Sequence, residues 1–165
     1  MKSIKLYFAG AWAGSCKKEE AELGITNKLV SYLYPKQLES WLAVSGDQPG
    51  NIMIDSGAFS AWSKGKTIDL NEYINYAKQA IEQGNKQNKN VYIVNLDVIP
   101  GSKGQSTSLS KNRKDENREL VNGAAKQGYR NLVRMLKSGL KPIHVFHQGE
   151  DWYWLDKMAE KTDYI

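Results

Sequence analysis

The chain has 165 residues, 41% hydrophobic and 25% charged, with a net charge of +5 and a pI near 9.1. That is long enough for one core and too apolar for a disordered tail, so a single globular domain over 1–165 is expected. No apolar run reaches membrane-spanning length, Met1 to Leu6 carries no signal-peptide pattern, and Cys16 is the only cysteine; the expectation is a cytoplasmic chain without membrane span, leader or intrachain disulfide. The basic balance favours an anionic partner such as nucleic acid, although many basic proteins bind nothing anionic.

In chain order, residues 4–9 read as a first short buried strand, followed by a helix over 35–43. Residues 51–55 read as a second strand. Leu70, Ile74, Ala77 and Ile81 then fall on one helical face, with Asp69 as N-cap, Glu72 three residues later and Gly84 past the end. A third strand is expected over 91–97, and a Ser-, Lys- and Gly-rich linker over 101–111.

A helical pattern begins near Lys114 and carries Leu120, Val121, Ala124 and Ala125; Gly128 either breaks it or permits close packing before Leu132, Val133 and Leu136. A fourth strand follows over 142–147, then a helix over 150–160 with Trp152, Leu155 and Ala159 on one stripe. Residues 162–165 resemble the opening of a fifth strand.

This βα alternation requires crossovers and a parallel sheet, either open and doubly wound or closed as a barrel. A complete eight-unit barrel takes about 250 residues. The expectation is therefore an α/β chain of TIM-barrel-like βα repeats, incomplete and corresponding to an N-terminal half barrel, or else an open sheet. An unpaired edge in a half barrel would favour a homo-oligomer or a second chain completing it.

In parallel βα folds the loops after the strand C-termini build the site. Three predicted strands end in polar groups: Asp55-Ser56-Gly57, Asn95-Leu96-Asp97 and His147-Gln148-Gly149-Glu150. Asp55 or Glu150 alone could simply cap the next helix. Three such endings, two containing glycine that lets a ligand approach the backbone, point to a pocket.

Asp55 and Asp97 form a candidate pair of carboxylates whose burial and repulsion would drive their pKa values apart. An aspartate also matches the adjacent N1–H and NH₂ donors of guanine, and Asp97 with Gln148 would suit a purine. His144 and His147, three positions apart, would sit on opposite faces of a strand and not share a metal without a bulge, so they read as ordinary strand-end residues.

Trp12, Phe59, Trp62, Trp152 and Trp154 are available for base stacking, with core packing as the commoner fate. Lys103, Lys111, Arg113 and Lys114 could track phosphates, or simply be solvated. Gly46, Gly50 and Gly57 lack the spacing of a P-loop or dinucleotide fingerprint, no Gly-x-Ser-x-Gly occurs, and apart from Lys5 in the first no lysine lies within a predicted strand for Schiff-base chemistry.

Ile54-Asp55-Ser56-Gly57-Ala58-Phe59-Ser60 resembles the aspartate-serine-glycine-glycine-phenylalanine-glutamine motif of the tRNA-guanine transglycosylases, also called queuine or archaeosine tRNA-ribosyltransferases. His147-Gln148-Gly149-Glu150 is similar to their later glutamine-glycine strand end, and Asn95-Leu96-Asp97 falls between, as the family's second aspartate does. The likeness covers roughly residues 52–150. It implies a TIM barrel that exchanges guanine in tRNA for a 7-deazaguanine of the queuosine type, with relatives, some phage-encoded, that act on DNA.

The resemblance further implies Asp55 as general acid/base, Asp97 on the guanine edge, and Gln148 with Gly149 at the base carbonyl; Ser56, Gly57 and Phe59 complete the matched motif. Its partners would be tRNA or DNA and a free purine or 7-deazapurine. Ala58 replaces the family's second glycine and Ser60 its glutamine. The family's nucleophilic aspartate and zinc-binding cysteines correspond to positions beyond Ile165, so no cofactor is expected within 1–165.

Overall fold

The computed structural model describes residues 4–10, 18–20, 22–101, 114–147 and 149–162. Three parallel strands, β1 (Asn27–Ser31), β2 (Gly50–Asp55) and β3 (Lys89–Ile93), form an open sheet in the order β1-β2-β3. Helices α1 (Lys36–Ser45), α2 (Ala58–Ser63), α3 (Leu70–Lys86), α4 (Lys114–Lys137) and α5 (Trp152–Ala159) complete the described elements. None is long and apolar enough to cross a membrane.

Strand alternation assigns the two faces of the sheet. Val30, Ile52, Ile54 and Ile93 point to one side and pack with Leu38, Trp41 and Leu42 of α1 and Tyr73, Ile74, Ala77 and Ala80 of α3. Burying these large side chains is the main favourable term, roughly 1.5–3 kcal/mol for each aliphatic one. On the other face, register partners Asn27, Asn51 and Asn90 form an amide ladder with bonds of 2.7 and 3.3 Å.

The α3 prediction is met at its start: Asp69 Oδ1 accepts from the backbone N–H groups of Asn71 and Glu72 at 2.8 and 3.0 Å. Its end differs. Gly84 lies inside the helix because the helix crosses β3 there, and a Cβ would collide with Val91 Cγ2.

The strand predictions need four corrections. β3 ends at Ile93 where 91–97 was expected, so Asn95–Asp97 lies in the segment after the strand. β1 is an additional strand, hidden in the sequence because Lys28 interrupts its apolar pattern. Residues 4–9 contribute only an isolated parallel bridge, Phe8 with Lys28, and leave Ile4 90% exposed. Residues 142–147 likewise contribute one bridge, Val94 with Ile143.

Lys28 and Lys89 lie in strands, contrary to the expectation that no strand beyond the first carries a lysine, and both are buried at the N-terminal end of the sheet. Lys28 pairs with the Glu20 carboxylate and lies 5.3 Å from the Trp41 ring centre. Lys89 donates to the carbonyls of Gly46 (2.7 Å), Gln87 (3.3 Å) and Gln48.

Residues 114–137 form one helix, with Gly123 and Gly128 inside it. In α5 the buried residue is Met158, whereas Trp152 and Ala159 of the expected stripe are exposed, Trp152 at 72%. The helix begins at Asp151, whose side chain accepts from Tyr153 N at 3.0 Å. Of the expected fifth strand only Thr162 is among the described residues.

Candidate functional site at the C-terminal ends of the strands

Asp55 closes β2, and its Oδ2 accepts from Gly57 N at 3.0 Å. That turn needs glycine twice over: Gly57 has φ 76°, and a Cβ would stand 2.7 Å from Leu33 Cγ. Burial raises the Asp55 pKa first, Gly57 N–H opposes that rise, and the charge of Asp97 adds to it. Phe59, 64% exposed, leans on Trp62 with ring centres 5.8 Å apart, and Trp62 Nε1 donates to Gly101 O at 2.9 Å.

Ser56 is buried, and its hydroxyl bridges two elements, accepting from Ala58 N at 3.2 Å and donating to Asp97 Oδ1 at 2.9 Å. The other oxygen, Asp97 Oδ2, lies 3.3 Å from His147 Nε2. This is an ion-pair distance without hydrogen-bond alignment, and His147 Nε2 has no hydrogen-bond partner. Asp97 raises the His147 pKa against the opposing effect of burial, with help from Glu150.

Helix α4 fixes the backbone that presents Asp97. Asn131 Nδ2 donates to Leu96 O at 2.8 Å, and Asn95 Nδ2 donates to Gly128 O at 3.0 Å. Because a carbonyl only accepts, the second bond sets the Asn95 amide orientation; His144 Nδ1, 2.9 Å from the same nitrogen, is then the acceptor. Burial holds His144 down at a pKa of about 4, with Asp97 pulling it up and His147 pushing it further down. From beneath, buried Tyr73 donates its hydroxyl to Val94 O at 2.7 Å.

Glu150 is 8% exposed, and its Oε2 has no hydrogen-bond partner. Burial raises its pKa first; His147 and its backbone lower it, and Asp97 raises it again. The expectation that Glu150 might only cap a helix fails because Asp151 performs that task. Asn95 Oδ1, in a side chain with no exposed surface, is also unpartnered. Buried polar atoms left unpaired cost free energy, and Asn95 Oδ1, His147 Nε2 and Glu150 Oε2 carry that cost here, as Trp41 Nε1, Ser45 Oγ, Tyr76 OH and Gln87 Oε1 do elsewhere.

Of the predicted site residues, Ser56, Asp97 and the Asp55–Gly57 turn come together. Gly149 adopts φ 92° at the exposed turn before α5. Gln148, Lys103, Lys111 and Arg113 lie outside the described residues; Lys114 opens α4, and its side chain lies outside them too. Sequence reasoning missed His147 and Glu150 as site members; both were visible only as polar residues after an apolar run.

Among the described residues no three His, Cys, Asp or Glu side chains are grouped to hold a metal. The largest cavity described, about 890 Å³, is elsewhere, lined by Ile4, Tyr7, Met53, Tyr92, Lys141 and Ile143 among others, with no carboxylate. Comparison with protein-family models, with curated proteins and with solved structures returned no match.

Proposed function

We propose that this strand-end site binds a purine base and takes part in base exchange on a nucleic acid, in the manner of the transglycosylases whose motifs Asp55-Ser56-Gly57 and Gln148-Gly149 resemble. One observation carries the reading: Asp97 is held on one oxygen by Ser56 and faces His147 with the other, while Asn95 Oδ1 and Glu150 Oε2 are buried without partners. A carboxylate fixed in this way can accept from the two adjacent donors of a guanine edge.

Asp55, one strand away, has its pKa raised, as a group that gives and takes a proton at the glycosidic bond requires. In such an exchange a carboxylate attacks the anomeric carbon, the old base leaves with a proton, and the incoming base reverses the step. No nucleophile is assigned among residues 1–165. The reading takes the sheet as the first units of a TIM-type barrel, with a further chain segment or partner supplying the remainder.

The basic run Lys103, Lys111, Arg113 and Lys114 would contact phosphates. Its leading end, Gly101, is tied by Trp62 to α2, the helix that follows the Asp55 turn. The test is incorporation of labelled guanine or 7-deazaguanine into tRNA and into DNA by the protein of the native reading frame. Loss of exchange in Asp55→Asn is expected, and absence of exchange on both polymers overturns the proposal.

A second reading, a purine-binding module without turnover, draws on the bond from Gly57 N–H that ties the Asp55 carboxylate to its own turn. Salt-dependent polymer binding that is unchanged in Asp55→Asn, without exchange, would favour it.

A further inference from the structure

We propose that His147 is the positioning residue for Asp97, in a charge-coupled unit to which the buried carboxylate of Glu150 belongs. The proposal rests on the reading of Asp97 as the acceptor for a base edge and adds the groups that orient it. Its basis is geometric. Ser56 Oγ holds Asp97 Oδ1 at 2.9 Å and His147 Nε2 stands 3.3 Å from Oδ2, so the carboxylate is approached on both oxygens from two different segments.

Glu150 N donates to His147 O at 3.2 Å, closing the turn between the two residues. Glu150 is more than nine-tenths buried with Oε2 unpartnered, and helix capping does not explain it because Asp151 is the cap. A buried carboxylate is kept when a neighbouring cation or an incoming donor compensates it, and the charge of a protonated His147 acts on Glu150 in that sense.

The groups around His147 are consistent with that coupling. Asp97 faces it from the segment after β3, Glu150 from the turn before α5 and His144 from its own segment, while Asp55 acts on Asp97 from the end of β2. The α4 groups that reach the Asn95–Asp97 segment are the neutral Asn131 side chain and the Gly128 carbonyl. Tyr73 from α3 is bound to Val94 O and stays protonated, its pKa raised by burial first and then by Asp55 and Asp97. With His147 protonated, Asp97 Oδ2 faces a charged donor; with His147 neutral, that charge assistance is lost.

The chain has two histidines, so NMR titration of its imidazole signals, assigned with His147→Gln, reads the unit directly. His147 is expected to titrate above the ordinary histidine value of about 6.5 and to move down in both Glu150→Gln and Asp97→Asn. His147 titrating at or below that value in the unaltered chain, or staying put in both variants, overturns the proposal. Guanine affinity measured across the same pH range is the second arm. It is expected to weaken as pH rises through the His147 titration and to fall about tenfold, without a pH step, in His147→Gln.

Guanine binding with no pH step in the unaltered chain overturns the positioning role and leaves the purine reading standing. Shifts in both variants without any guanine binding support the unit and overturn the purine reading.

Discussion

The two ends of the sheet bury charge in different ways. At the N-terminal end every buried charge is matched: Lys28 by Glu20 and Trp41, and Lys89 by three carbonyls, beside the asparagine ladder. At the C-terminal end Ser56, Asn95, His144 and Glu150 are as deeply buried, yet Asn95, Glu150 and the less buried His147 retain partnerless atoms. A matched polar group defends the fold; an unmatched one raises the energy of the empty site and is retained where a ligand can complete it. Around the N-terminal end the partnerless buried atoms, Trp41 Nε1, Ser45 Oγ and Gln87 Oε1, belong to neutral side chains, whereas those at the C-terminal end include an imidazole and a carboxylate.

The largest expected effect is at the matched end. Lys28→Met leaves the Glu20 carboxylate, 12% exposed, without its cation and should cost about 3–5 kcal/mol in urea denaturation. A loss below about 1 kcal/mol would show that this pair is not needed and would erase the contrast.

Acid should come next, through His144. Its folded pKa of about 4 lies below the ordinary 6.5, so its contribution is complete above pH 6.5 and disappears as pH falls through about 4, a loss of roughly 3 kcal/mol. Asp55 and Glu150, with raised pKa values, act in the opposite sense, their contributions being largest at low pH and fading as pH rises. The difference between the stability curves of the unaltered chain and His144→Gln isolates the histidine, and parallel curves from pH 7 to 4 would refute its neutral burial.

A smaller effect tests a matched group near the upper end. Asp69→Ala removes two bonds at the start of α3 and should cost about 1 kcal/mol without changing the His147 titration. A shift of that titration would mean that the cap and the site are one unit. The smallest change is also the most telling, because its sign reverses: Glu150→Gln removes a carboxylate that burial disfavours and should leave the urea midpoint unchanged or raised at pH 7. Clear destabilisation would place Glu150 among the structural groups.

Local patterns made part of this legible. β2, α1 and α3 were readable because their apolar residues repeat at the period of the element that buries them, and Asp69 acts within three residues of itself. β1 was not, because Lys28 breaks the apolar run, and its contacts with Glu20 and Trp41 lie outside the strand itself. The 142–147 segment was over-read as a strand, and that error placed His144 and His147 on opposite faces; outside a ladder both turn toward the Asn95–Asp97 segment. Glu150 was discounted as a cap that its neighbour supplies.

The sequence by itself determined a parallel βα layout and marked Asp55, Ser56 and Asp97 as strand-end polar groups, because helix and strand periods and turn glycines are local properties of the chain. Tertiary structure alone decided that Ser56 would bond Asp97 across two strands, that His147 would face the same carboxylate, and that Glu150 would be buried without a hydrogen-bond partner for its Oε2. Those relations depend on which side chains remain without partners after packing, a property of the assembled fold that no stretch of sequence contains.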